Sequence, residues 1–159
     1  LIASAAASVI IFAAILLLGD FPKIDTQFYV NETQAYEIIG SLTEKQISLY
    51  KTMLILDIAF PIAYSSCFFL LIRFFYIHKV NKKGIANKAA VFPIAAFIFD
   101  IGENICILRL INKFPKECFN ANVVGYFSAI KWTSVALSIA FILAGLLLYI
   151  IKKSGLFGE

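Results

Sequence analysis

Two carboxylates and an amide, Asp100, Glu103 and Asn104, fall on one helical face inside a stretch that is otherwise apolar. A third carboxylate, Asp57, and one amine, Lys131, interrupt two other apolar runs. Ionisable groups in hydrocarbon are costly, so their presence there is rarely incidental, and the chemistry open to them is narrow: ion pairing, proton exchange or the holding of a cation. Asp57, Asp100 and Glu103 set up to three negative charges against the single positive charge of Lys131. An unpaired carboxylate in a low-dielectric site takes up a proton, so this set calls for a protonated acid, a bound cation or a cationic ligand.

The elements that must position these groups are membrane helices. The chain has 159 residues, of which 61% are hydrophobic. Its mean hydropathy of +0.87 lies far above that of a soluble domain. Spans are predicted at about 1–18, 50–76, 89–111 and 123–151, since a helix needs roughly 20 apolar residues to cross a core about 30 Å thick. The predicted fold class is all-α: one domain over 1–159, a transmembrane four-helix bundle with a short amphipathic helix in the first outer loop. The first run opens without an initiator methionine or a basic flank, which predicts that the chain starts before Leu1. Without a charged n-region or a small-x-small cleavage site before Asp20, a span is favoured over a signal peptide.

Sidedness follows from the short loops. Arg73, His78, Lys79, Lys82, Lys83 and Lys88 lie between the second and third runs without an acid among them, and Lys152 and Lys153 follow the fourth. Both termini are therefore expected on the cytoplasm-like side, with outer loops at 20–47 and 112–121. The formal charge of +4 is then a topology signal, and nucleic acid is not an expected partner. Membrane lipid is, together with other membrane subunits or a second copy of the chain. In the long outer loop, Asn31 followed three residues later by Gln34, with Tyr36, Ile39 and Leu42 at helical spacing, predicts a capped amphipathic helix ending near Gly40. That helix lies at the interface or lids the bundle mouth. Asn31-Glu32-Thr33 also reads as a glycosylation sequon, but capping explains the same residues. Thr43 with Gln46 caps the helix that runs into the second span.

At about 1.5 Å of rise per residue, Asp57, Glu103 and Lys131 each come about 10–12 Å below the outer surface, and Asp100 one turn deeper. Arg109 projects away from the Asp100, Glu103, Asn104 stripe and can snorkel outward. Tyr50, Asp57 and Tyr64 repeat every seven residues with Pro61 on the same side, and Pro61 frees the carbonyl of Asp57 and permits a kink. Ser128, Lys131, Ser134 and Ser138 share a face of the fourth span, where the serines alone would be helix-packing contacts. The candidate polar site is therefore Asp57, Asp100, Glu103, Asn104 and Lys131, with Tyr50, Tyr64, Ser128 and Ser134 around it. Trp132 and Tyr126 read as lipid-facing or interface aromatics in a chain with 16 Phe residues.

No metal centre or cofactor is expected. The lone His78 lies in the basic loop, and an oxygen-donor site for a hard cation, built from Asp57, Asp100, Glu103 and Asn104, is the minor alternative. Cys67, Cys106 and Cys118 occupy three depths and make no disulfide framework; the first two read as core and the third as a loop thiol. The buried ion pair most readily drawn is Glu103 with Lys131, stapling helices together beside hydrogen-bonded Asp57 and Asp100.

The chain resembles a group of uncharacterised small four-span bacterial membrane proteins. The resemblance rests on Tyr36, Tyr50, Asp57-x-x-x-Pro61-x-x-Tyr64, Asp100-x-x-Glu103-Asn104 and Lys131-Trp132, covering about residues 30 to 135. It implies that these polar residues belong together and implies no activity. A looser analogy connects the carboxylates to membrane-embedded sterol isomerases and their ligand-binding relatives. The expected function is non-enzymatic: an accessory subunit, or a binder of a lipophilic or cationic ligand. The alternatives are a membrane-embedded enzyme acting on a lipid or isoprenoid by carboxyl acid/base chemistry, and a proton- or cation-coupled carrier.

Overall fold

The computed structural model describes residues 2–17 and 21–154, with backbone alone at positions 7 and 11–17. The start at Leu1 and the boundary at Leu18, Gly19 and Asp20 lie outside the described residues. All regular structure among the described residues is helical, in the order α1 (Ile2–Leu17), α2 (Glu32–Ser41), α3 (Glu44–Leu56), α4 (Ala59–Arg73), α5 (Lys83–Ala89), α6 (Val91–Lys113) and α7 (Phe119–Ser154). Three continuous or nearly continuous rods, Glu44–Lys79, Lys83–Lys113 and Phe119–Ser154, are long and apolar enough to cross a membrane. The first predicted span corresponds to the 16-residue α1, which packs along α4.

Local chemistry sets the ends of these helices. Asn31 accepts from the Gln34 amide at 2.9 Å while Gln34 Oε1 takes the Asn31 N–H at 3.0 Å. Thr43 and Gln46 form the same reciprocal box at the start of α3. Each box satisfies amides that a helix start would otherwise leave bare. Pro61 acts further along. It has no N–H to give the carbonyl of Asp57, and the rod is interrupted four residues earlier, between α3 and α4, at Asp57 and Ile58. At its other end α4 widens into a π turn over Phe74–Lys79, and the chain reverses through Asn81 at φ 60°, a backbone conformation that Asn tolerates better than most residues.

The apolar core has two parts. One fills the end that carries α2 and the 21–31 loop: Ile24, Val30, Ile39, Tyr50, Ile107 and Leu110 are among its fully enclosed members. The other, at the basic end, joins Ile72 and Tyr76 to Ala86 and Ala89. Along α6 and α7 the polar residues fall between these parts, and the two helices pack on each other over much of their length. Cys106 and Cys118 both belong to the first core, so Cys118 is a buried loop residue.

Candidate functional site

α6 supplies three of the polar groups, and the spacing that joins them on one face puts Asp100, Glu103 and Asn104 all in the buried set. From α7 come Ser128, Lys131, Ser134 and Ser138, also buried. Lys131 Nζ donates to Glu103 Oε2 in a close ion pair, and Ser128 Oγ donates to the other oxygen, Glu103 Oε1. Both oxygens of Glu103 are thus served, which a fully enclosed carboxylate requires. Lys131 Nζ lies 3.9 Å from Asp100 Oδ1 and 5.0 Å from the centre of the Trp132 ring. The second Asp100 oxygen, Oδ2, accepts from the Tyr64 hydroxyl of α4 at 2.9 Å.

Asp57 stands at the interruption between α3 and α4, half-buried. The shared electrostatic set of Asp57, Glu103 and Lys131 expected from depth alone divides in two here. Asp57 Oδ2 accepts from Asn104 Nδ2 at 3.0 Å, whereas Lys131 is engaged by Glu103. The reason is the register of α6: Asn104 is the next residue after Glu103 and projects toward the α3 side of the stripe. Asn104 itself is only 2% exposed, and its other amide atom, Oδ1, is buried without a hydrogen-bond partner.

A fourth carboxylate enters from the loop. Lys131 Nζ donates to the Asp25 backbone carbonyl at 3.0 Å, and the Asp25 side chain accepts from the Tyr50 hydroxyl at 2.6 Å. The same hydroxyl accepts the Ile24 N–H at 2.9 Å. Tyr50 therefore ties the loop to α3, and its phenol is directed to Asp25, which lies outside the candidate polar site named from the sequence. An acid in a loop carries no signal of its own; the nearest one in the sequence is the apolar pair Ile24 and Val30 around it, both fully enclosed.

Ser134 and Ser138 stay on the buried face of α7, where Ser138 Oγ donates to the Ser134 carbonyl at 2.8 Å. This is a helix-packing arrangement, with small residues and a back-bonded hydroxyl. Arg109 is exposed, on the face away from the stripe. At the loop end Tyr36 accepts the Cys118 N–H at 2.7 Å and stacks obliquely on Phe114, so α2 closes over the α6–α7 connection.

Tyr50 offers a direct test of the loop's attachment. Tyr50→Phe leaves the Ile24 amide and one Asp25 oxygen without their partner, and a loss of about 1–3 kcal/mol is expected. Hydrogen exchange at the Ile24 amide should accelerate at least about tenfold, the equivalent of about 1.4 kcal/mol of local stability. Unchanged protection there would show that the loop is held by other contacts.

The arrangement has an electrostatic direction. Glu103, Lys131 and Ser128 form a satisfied triad, while Asp57, Asp100 and the bare Asn104 oxygen form an acceptor-rich side. Against protein-family models, curated proteins and solved structures alike, the chain has no match.

Proposed function

We propose that this chain is a non-enzymatic integral membrane protein that binds a cation on the acceptor-rich side of its polar layer, as a subunit or binder. One observation carries the reading: Asn104 Oδ1 is buried with no donor, on the same amide whose Nδ2 donates to the carboxylate of Asp57. Leaving a buried acceptor bare costs about 1–3 kcal/mol, so a native fold that keeps one gains by filling it. Anything that fills it must donate or be positive, because the neighbours Asp57 and Asp100 are themselves acceptors. The non-enzymatic reading is supported by the commitment of Glu103 to Lys131 and Ser128 and of Asp100 to Tyr64. These carboxyls are held by structural partners, whereas a general acid or base must be within hydrogen-bond reach of the proton it transfers.

The membrane setting is part of the proposal. α1 serves as a fourth span beside the three long rods, and the bundle stands with both termini on the cytoplasm-like side. The Lys- and Arg-rich connection around 73–88 and the basic end of α7 support that orientation. The polar layer then lies in the outer half of the bilayer, under the 21–31 loop and α2. Lipid surrounds the rods, whose exposed faces carry Ile98, Ile105, Leu143 and Leu147. A second copy or another membrane subunit is the expected protein partner.

The test is thermal unfolding in detergent across chloride salts of cations from sodium to n-octylammonium, at constant ionic strength. Binding is also followed through Trp132, the single tryptophan of the chain. At least one cation should raise the transition temperature saturably, and Asp57→Asn should remove that gain. A flat response across the whole series would overturn the reading.

A further inference from the structure

The basic end of the molecule carries cations without counter-charges of its own. No Asp or Glu lies between Asp57 and Asp100, nor between Glu117 and Glu159. The Lys and Arg residues of 73–88, with Lys152 and Lys153, therefore share one end of the rods without an acid. They are even drawn together: Lys152 Nζ donates to the Lys79 carbonyl at 3.4 Å, and the Lys79 ammonium lies 5.0 and 5.4 Å from the ring centres of Phe74 and Tyr149. Arg73, the last residue of α4, has a different setting. It makes no ion pair among the described residues, and its guanidinium lies 5.6 Å from the centre of the Phe69 ring, one turn back along the helix.

Phe69 is also a wall of a cleft. Between α4 and α6 a space of about 370 Å³ is lined by Phe69, Leu70, Pro93, Ile94 and Phe97, with two serines of α4. One of these, Ser65, turns its hydroxyl to the Pro61 carbonyl of its own helix. At about 1.5 Å of rise per residue, Phe69 lies about 6 Å and Ser65 about 12 Å from Arg73 along α4. The cleft thus runs inward from beside the guanidinium, the course an acyl chain takes below its headgroup. Leu70 and Ile94 are 42% and 49% exposed, so the cleft opens sideways, where a lipid can enter. Resting on the membrane setting proposed above and not on the bound cation, we infer that this cleft seats one acyl chain of an anionic glycerophospholipid whose phosphate is held by Arg73.

Charge and size decide the class. A guanidinium is weakly hydrated, stacks on aromatic faces and presents a planar fork of donors that matches phosphate, so it suits the edge of the hydrocarbon. Basic pockets between membrane helices on the cytoplasmic side are a recurrent place for acidic headgroups. A zwitterionic lipid offers the same phosphate but brings a cation of its own into a field that is already positive. A protein helix is too wide. With its side chains it is about 10–12 Å across, so a single 5.4 Å turn fills more than about 400 Å³. The larger cleft, about 640 Å³ against α1 at Val9 and Leu71, has no charged residue in its lining and offers a headgroup nothing.

The experiment reconstitutes the full chain in dioleoylphosphatidylcholine vesicles containing a trace of chain-spin-labelled phosphatidylglycerol or, in a second set, chain-spin-labelled phosphatidylcholine. Electron paramagnetic resonance reads the fraction of labelled chains held by the protein. Phosphatidylglycerol should be favoured at least about fivefold, the ratio expected for one basic residue near an anionic headgroup. Arg73→Gln should remove most of that preference. Lys82→Gln takes away the same charge at the same end but outside the cleft lining, and should lower the preference less than about twofold because an exposed charge is screened. Ile94→Trp, which fills the cleft and keeps every charge, should release the held chain; if that variant does not insert, the Arg73 and Lys82 variants still decide. Inorganic phosphate added in solution should not compete, and displacement by it would overturn the inference by showing that the headgroup alone is recognised. Equal losses in the Arg73 and Lys82 variants, or no preference in the wild type, also overturn it and leave the membrane setting standing. A chain that alkaline carbonate strips from the vesicles overturns both.

Discussion

Lys131→Met should destabilise the folded chain by about 3–5 kcal/mol, the largest effect expected of a single side-chain replacement here. Lys131 is 5% exposed and is the only buried amine among the described residues. Its ammonium holds one oxygen of Glu103, lies 3.9 Å from Asp100 and ties down the Asp25 carbonyl. Methionine keeps most of the volume and none of the donors. Glu103, fully enclosed, then retains only Ser128, and the loop carbonyl loses its anchor. Glu103→Gln alone should also destabilise, because it leaves an ammonium buried with Asp100 as its remaining acid. The double variant Glu103→Gln, Lys131→Met removes both charges together. It should be less harmful than the sum of the singles by about 0.5–3 kcal/mol, the range for residues in direct contact. The cycle is read from reversible denaturation in detergent micelles. Additivity within about 0.5 kcal/mol would mean that the two residues do not act as a pair.

The parts of this site that were legible in the sequence are those where a polar residue contrasts with its surroundings. Asp100, Glu103 and Asn104 stand out because the run around them is apolar, and helical periodicity alone puts them on one face. Pro61 marked the weak point of the second rod, since a missing N–H has a fixed consequence four residues upstream, and the interruption falls at Asp57 and Ile58. Both capping boxes were readable for the same kind of reason, a reciprocal bond with a fixed offset.

What could not be read depends on contacts between distant segments. Asp25 looks like any loop acid until Ile24 and Val30 are seen to bury the strap that carries it. The division of the acids between Lys131 and Asn104 depends on the rotation of α6 against α3 and α7, which depth along each helix does not contain. The π turn at Phe74–Lys79 and the short α5 after it fall in a stretch that mixes aromatic, aliphatic and basic residues without a capping pattern or proline, so no offset there can be read.

The strap itself supplies the second large effect. Gly125 sits in the first part of α7, and a Cβ built there would lie 2.0 Å from the Val30 carbonyl oxygen and 3.0 Å from the Tyr29 ring. A side chain can rotate out of such a clash, but a backbone carbonyl moves only with its segment. Gly125→Ala therefore has to push residues 21–31 off α7, and that segment carries Asp25, whose carbonyl binds Lys131 and whose side chain binds Tyr50. Alanine is the better helix former by about 1 kcal/mol, which opposes the clash without cancelling it. Overpacking of this kind costs about 1–3 kcal/mol, and the net loss should reach the upper part of that range because the loop's polar anchors are lost with its packing. The control is Gly84→Ala in α5, where an added Cβ meets nothing within 4 Å; it should leave stability unchanged or raise it. Combined with Tyr50→Phe, Gly125→Ala should cost less than the sum of the two, since a displaced loop has already lost the bond that the phenol supplies. A Gly125→Ala protein as stable as wild type, with the Ile24 amide still protected, would show that the 21–31 segment is not seated on α7 and that Lys131 draws no support from it.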